Sequence, residues 1–124
     1  ARFGNYSNAG LEESRKEMKG FLEEVRKAAK KHIFYTEHSL EEMNAEGELI
    51  SADEVREVVF KGEIIEDYPK DKRGHSCLMF SWTLQKRPLH IVCSPKEAYL
   101  GVITAYLPGL DKWEENFKTR RKLK

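Results

Sequence analysis

Ser76-Cys77-Leu78-Met79-Phe80-Ser81-Trp82-Thr83-Leu84 is the stretch whose alternation decides the fold. Leu78, Phe80 and Trp82 fall on one face of an extended chain, and Cys77, Met79 and Ser81 on the other. That two-residue period is the signature of a strand. A strand needs partners, and the flanking sequence offers them. Upstream, Glu63-Ile64-Ile65-Glu66-Asp67-Tyr68 is rich in β-branched and aromatic residues, and the polar run Pro69-Lys70-Asp71-Lys72-Arg73-Gly74 reads as a turn. Downstream, residues 85–88 turn the chain into a third strand at 89–93, followed by a fourth at 99–107. Connections this short predict a four-stranded antiparallel meander.

The first half of the chain reads as helices. Over residues 9–32, Leu11, Met18, Phe21, Leu22, Val25, Ala28 and Ala29 recur near the 3.6-residue period, although Gly20 weakens the middle. This stripe serves as core packing or as a docking face for a partner. Ile33-Phe34-Tyr35 is a short apolar link. Thr36 is an N-cap for a second helix carrying His38, Leu40 and Met43 and ending at Gly47. Ser51-Ala52-Asp53-Glu54 has capping-box spacing and opens a third helix, at about 52–60, that stops at Gly62. Residues 111–117 read as a closing helical turn, with Trp113 anchoring it on the sheet. The expected fold is therefore α+β: N-terminal helices followed by a four-stranded antiparallel sheet that they cover on one face.

Composition narrows the class. A chain of 124 residues is expected to form one domain with one modest core. Hydrophobic residues at 40% and charged residues at 35% suit a soluble, cytoplasmic protein, and no apolar run approaches bilayer length. Ala1-Arg2-Phe3-Gly4 lacks the apolar core of a signal peptide, and the missing Met suggests a processed start. Cys77 and Cys93 read as reduced structural thiols; they are expected on adjacent strands, where a cross-strand bridge is geometrically conceivable. The net charge is +1, but residues 118–124 carry five cations, which leaves the remainder at −4.

Function is sought where polar, chemically capable side chains interrupt apolar strands. Arg87 and His90 do so in one strand, Thr104 and Tyr106 in the next. Histidine transfers protons near neutral pH, and arginine offers phosphate a permanently charged fork. Lys86 adds a second cation, Thr104 a hydroxyl for a phosphate oxygen, and Tyr106 a phenol that positions or stacks. His38, in the first turn of a helix, is a second imidazole, in a setting whose dipole favours the neutral, base-competent ring. Lys70, Lys72 and Arg73 in the turn, and Arg120 and Arg121 in the tail, are expected to steer a polyanion. His75 is expected to be exposed beside its turn. No zinc-type His/Cys spacing, no glycine-rich phosphate loop and no nucleophile elbow is found, so neither a metal nor a cofactor is expected. Carboxylate pairs such as Glu41-Glu42 read as solvated helix faces.

Several of these segments occur together, in order, in one family. Tyr35-Thr36-Glu37-His38, Ser51-Ala52-Asp53-Glu54-Val55, Gly62-Glu63-Ile64-Ile65-Glu66-Asp67-Tyr68-Pro69, Arg87-Pro88-Leu89-His90 and Ile103-Thr104-Ala105-Tyr106 resemble a small bacterial family of unknown function. That family is grouped with RelE/ParE/HigB/MqsR-like toxins, some encoded beside zinc-finger antitoxins of the MqsA type. The resemblance spans roughly residues 32–117 and leaves out the first helix and the basic tail. It implies a barnase/RelE-like ribonuclease core at about 33–117. It also implies metal-independent endoribonuclease activity on single-stranded or ribosome-associated RNA, and a protein antitoxin as partner. On that expectation His90 and His38 share acid/base work, Arg87 and Lys86 hold phosphate, and Thr104 and Tyr106 position it. A non-catalytic protein-binding module and a gyrase-directed, ParE-like inhibitor remain alternatives on the same fold.

Overall fold

The computed structural model describes residues 8–122, with the side chains of Asn8, Ala9 and Leu11 outside the description. Readings of residues 1–4 and of the last two tail residues therefore lie outside the described residues as well. The elements are α1 (Asn8–Lys31), β1 (Ile33–Tyr35), α2 (Glu37–Met43), α3 (Ala52–Lys61), β2 (Glu63–Tyr68), β3 (Ser76–Trp82), β4 (Pro88–Pro95) and β5 (Leu100–Tyr106). The class is α+β, but the sheet is five-stranded and mixed, in the order β1-β5-β4-β3-β2. β2 to β5 form the expected antiparallel meander. The correction is Ile33-Phe34-Tyr35, which is a strand lying parallel to β5, with Ile33 opposite Leu100 and Tyr35 opposite Val102. No helix among the described residues is long and apolar enough to cross a membrane.

Pleating sorts the strand residues between two faces. Cys77, Met79, Leu89, Ile91, Cys93, Val102 and Ala105 join Phe21, Val25, Ala28 and Ala29 of α1 and Val55, Val58 and Val59 of α3 in the main core. The thiols of Cys77 and Cys93 are directly opposed, 4.0 Å apart, and unbridged. α1 also reaches the end of α3: Arg26 donates to the carbonyls of Val59 and Gly62 at 2.9 and 2.8 Å, satisfying acceptors that a helix end leaves unpaired. The N-caps occur as read. Thr36 Oγ1 accepts from Ser39 N, and Ser51 and Glu54 form the full reciprocal box. α2 ends at Met43, before Gly47, whose φ of +84° serves the turn beyond it.

β1 is too short to cover the whole edge of β5. Past Val102 other groups take over: Thr36 Oγ1 donates to Ile103 O, Glu42 accepts from Ala105 N at 3.1 Å, and Glu48 from Leu107 N at 3.4 Å. Two carboxylates thus satisfy edge amides that would otherwise invite a further strand. Residues 111–117 form no helix. They belong to a strap, 108–122, that crosses the other face of the sheet and closes on itself through an antiparallel bridge between Trp113 and Arg120.

Candidate active site

The strap and the sheet face beneath it hold most of the polar chemistry. His90 is opposite Phe80 on one side and Tyr106 on the other, and Thr104 follows Tyr106 on the same face. His90 has no exposed surface. Its Nε2 lies 2.7 Å from the Phe117 carbonyl and its Nδ1 3.1 Å from the Tyr106 hydroxyl. Trp113, 2% exposed, stands edge-on to the imidazole at 4.5 Å between centroids. Burial lowers the His90 pKa to about 4 and raises that of Tyr106 to about 12. At neutral pH both are uncharged.

Further along this face, Glu66 accepts from Arg120 through both oxygens, at 2.8 and 3.0 Å, and from the Tyr68 hydroxyl. Burial raises the Tyr68 pKa to about 12, with the Glu66 carboxylate adding to it. Burial pushes the Glu66 carboxyl up as well, yet its hydrogen bonds from Arg120 and Tyr68 hold it below the ordinary range. The Arg120 guanidinium also lies 4.6 Å from the Trp113 ring centre, a cation–π contact.

Where the strap leaves β5, a cleft of about 520 Å³ opens, walled by Glu42, Tyr106, Asp111, Lys112, Trp113 and Arg120. His38 contacts one of these walls, Glu42. Its ring is 65% exposed, and its Nε2 lies 3.3 Å from Oε1 of Glu42, one helical turn on. Glu42 is in turn fixed by the Ala105 amide. This is an accessible imidazole backed by an anchored carboxylate, and that carboxylate walls a recess that carries two cations.

The structure separates the residues expected to form one site. Arg87 is three positions from His90, and on an extended chain an odd separation means opposite faces. Arg87 accordingly points to the helical side. There it binds Glu54 at 2.7 and 3.0 Å and the carbonyls of Glu48 and Leu49 at 2.7 and 3.0 Å. It is a clamp for the α2–α3 connection, and its charge is spent on a carboxylate that is 1% exposed. Lys86 is exposed in the β3–β4 turn at a left-handed φ of 62°. Lys70 and Lys72 are exposed, while Arg73 is bonded to Asp71. Arg120 and Arg121, read as parts of a steering tail, are engaged within the fold, Arg121 with Glu114 at 3.2 Å. His75 is half-buried, not exposed: it stacks on Phe21 at 3.6 Å and contacts Asp67 at 2.6 Å.

Tyr106 and Arg120 do line one cleft, with His38 joined to it through Glu42 and Thr104 on the adjoining sheet face. The residues missed are Glu42, Lys112, Trp113 as a cleft wall, and Glu66. Glu42 carried a signal, since four residues after His38 puts it on the same helix side. Among the described residues no group of three His, Cys, Asp or Glu is arranged to hold a metal ion. No curated protein and no solved structure matches this chain. Residues 35–107, more than half of the chain and all of the meander, match a family, and the chain belongs to it: Domain of unknown function (DUF4258).

Proposed function

We propose that the protein is a metal-independent endoribonuclease of the RelE-like toxin group, working in the cleft beside His38 and not at His90. One observation carries this reading: the exposed His38 ring is 3.3 Å from an anchored Glu42, and Glu42 lines a recess that also presents Lys112 and Arg120. Cleavage of RNA without a metal needs a base for the 2′-hydroxyl, an acid for the departing 5′-oxygen, and cations for the charge that develops on phosphorus. Glu42 favours the proton on Nε2 of His38, which leaves Nδ1 to take the 2′-hydroxyl proton and later return one to the leaving oxygen. Lys112 and the open side of Arg120 neutralise the phosphate, and Thr104 lies close by on the sheet. The sequence resemblance to RelE-like toxins supports the same assignment and implies a protein antitoxin, of zinc-finger type, as partner.

A second reading, a non-catalytic binding module on the same fold, is favoured by the burial of His90 and the structural use of Arg87. Incubating the purified protein with a long RNA in EDTA separates the two. The expected result is cleavage that falls about 10²–10⁴-fold in His38→Ala and persists in His32→Ala, a control at an exposed position. Undiminished cleavage by a folded His38→Ala variant would remove His38 from the site. An intact RNA with the unaltered protein would favour the binding module.

A further inference from the structure

We infer that His90 is a positioning residue: it fixes Tyr106 as a hydrogen-bond acceptor toward the cleft, so that the cleft selects nucleic acid bearing a ribose 2′-hydroxyl. The inference rests on the RNA reading above and names the group on the substrate that Tyr106 recognises.

The Phe117 carbonyl lies 2.7 Å from Nε2 of His90. A carbonyl only accepts, so Nε2 carries the proton. A neutral imidazole has one N–H, which leaves Nδ1 with its lone pair. The Tyr106 hydroxyl, 3.1 Å away, must then donate to Nδ1. A phenol has a single proton, and this one is committed inward. Burial keeps the ring neutral and the phenol protonated across the physiological range. Phe80 and Trp113 stand edge-on to the ring at 5.6 and 4.5 Å, so neighbours hem it in on more than one side. The carbonyl that sets the tautomer is held too, because Phe117 N donates to Glu114 O at 2.9 Å within the strap.

Toward the cleft, Tyr106 therefore offers only lone pairs. A phosphate oxygen, which also has only lone pairs, is turned away to Lys112 and Arg120. A hydroxyl that brings its own proton is accepted. The hydroxyl at the cleaved position gives its proton to His38, so the one Tyr106 accepts from belongs to a neighbouring nucleotide, and the 2′-hydroxyl is the group that tells RNA from DNA. The expectation that Tyr106 positions phosphate is replaced by one in which it positions the ribose.

Two measurements test this. Nitrogen-15 NMR of the unaltered protein should show the proton of His90 on Nε2; a proton on Nδ1 would overturn the inference, whatever the enzyme does. Binding is then measured by fluorescence anisotropy in the His38→Ala background, which avoids cleavage. The probes are a mixed-sequence RNA 12-mer and its 2′-deoxy, 2′-fluoro and 2′-O-methyl counterparts. The RNA should bind about five- to tenfold more tightly than all three, as expected for one hydroxyl donor, and Tyr106→Phe should erase the difference. Equal binding of RNA and its counterparts, or a preference that survives Tyr106→Phe, would sink the role of Tyr106 and leave the RNA reading standing. Failure of all four probes to bind would sink both.

Discussion

At the scale of single residues, the two strongest candidates in the sequence divide into different jobs. Arg87 holds Glu54, whose carboxyl lies below the ordinary range because of hydrogen bonding from Arg87, with the Ser51 amide and the Thr83 hydroxyl contributing. Removing one partner of a buried pair leaves the other charge uncompensated. Arg87→Ala should therefore lose about 3 kcal/mol in urea denaturation, with Arg87→Lys in between because an ammonium cannot reproduce the fork. A phosphate-binding role would instead leave stability unchanged. His90 makes a prediction of its own. Its pKa is lowered from 6.5 to about 4, so the unfolded chain binds more protons between these values. The contribution of the neutral ring is fully present above pH 6.5 and is lost as pH falls toward 4. The groups charged near it are Glu66 and Arg120, and Glu66 itself weakens the fold at the acid end. The comparison with His90→Phe isolates the imidazole: stability of the unaltered protein should fall by roughly 3 kcal/mol more than that of the variant over this window. Parallel pH profiles would show that the ring titrates normally.

At the scale of elements, the join between α3 and β2 leaves no room for a side chain. A Cβ built on Gly62 would lie 2.5 Å from Val58 O and 2.6 Å from Phe80 O, both backbone atoms. The φ of Gly62 is −84°, so its necessity is steric and has nothing to do with left-handed backbone. Gly62→Ala should cost about 1–3 kcal/mol, read as a lower midpoint in chemical denaturation, as overpacking does elsewhere. The sequence identified Gly62 as a stop for α3 without revealing this reason, because the crowding comes from β3. The same division runs through the other elements. The caps at Thr36 and Ser51 were legible because each depends on residues three apart. The alternation of β3 was legible because it is local. β1 was not: three residues give no period, and its partners in β5 lie 67 positions away in the chain. The candidate site was legible to the same extent. His38 and Glu42 are one helical turn apart and readable in principle, and the opposite faces of Arg87 and His90 follow from counting. The placement of Lys112, Trp113 and Arg120 against the sheet depends on a strap without regular periodicity, and no local pattern encodes it.

At the scale of the molecule, charge decides how RNA would be met. The formal net charge of +1 gives little long-range attraction, and four of the cations in the turn and the tail are paired within the fold. Lys118 contacts Glu63 at 2.9 Å, Arg120 is held by Glu66, Arg121 by Glu114, and Arg73 by Asp71. A basic tail sweeping the solvent would add several phosphate contacts; a strap fastened by its own cations adds few. Recognition then falls to the cleft, where Lys112 and the exposed side of Arg120 meet one or two phosphates. Salt dependence converts this difference into a number, since each phosphate neutralised on a single strand contributes about −0.7 to the slope of log K against log salt. Two contacts predict a slope of about −1.4. Engagement of the turn cations and the tail as well, at least five contacts, predicts one steeper than about −3.5. Anisotropy titrations of the RNA 12-mer on the His38→Ala variant between 50 and 200 mM salt distinguish the two, at concentrations taken from the range where counterion release is usually read. A shallow slope that flattens further in Lys112→Ala would locate binding in the cleft. A steep one, unmoved by Lys112→Ala, would mean that RNA lies along the basic turn and the strap, and that the cleft beside His38 is not where the chain holds it.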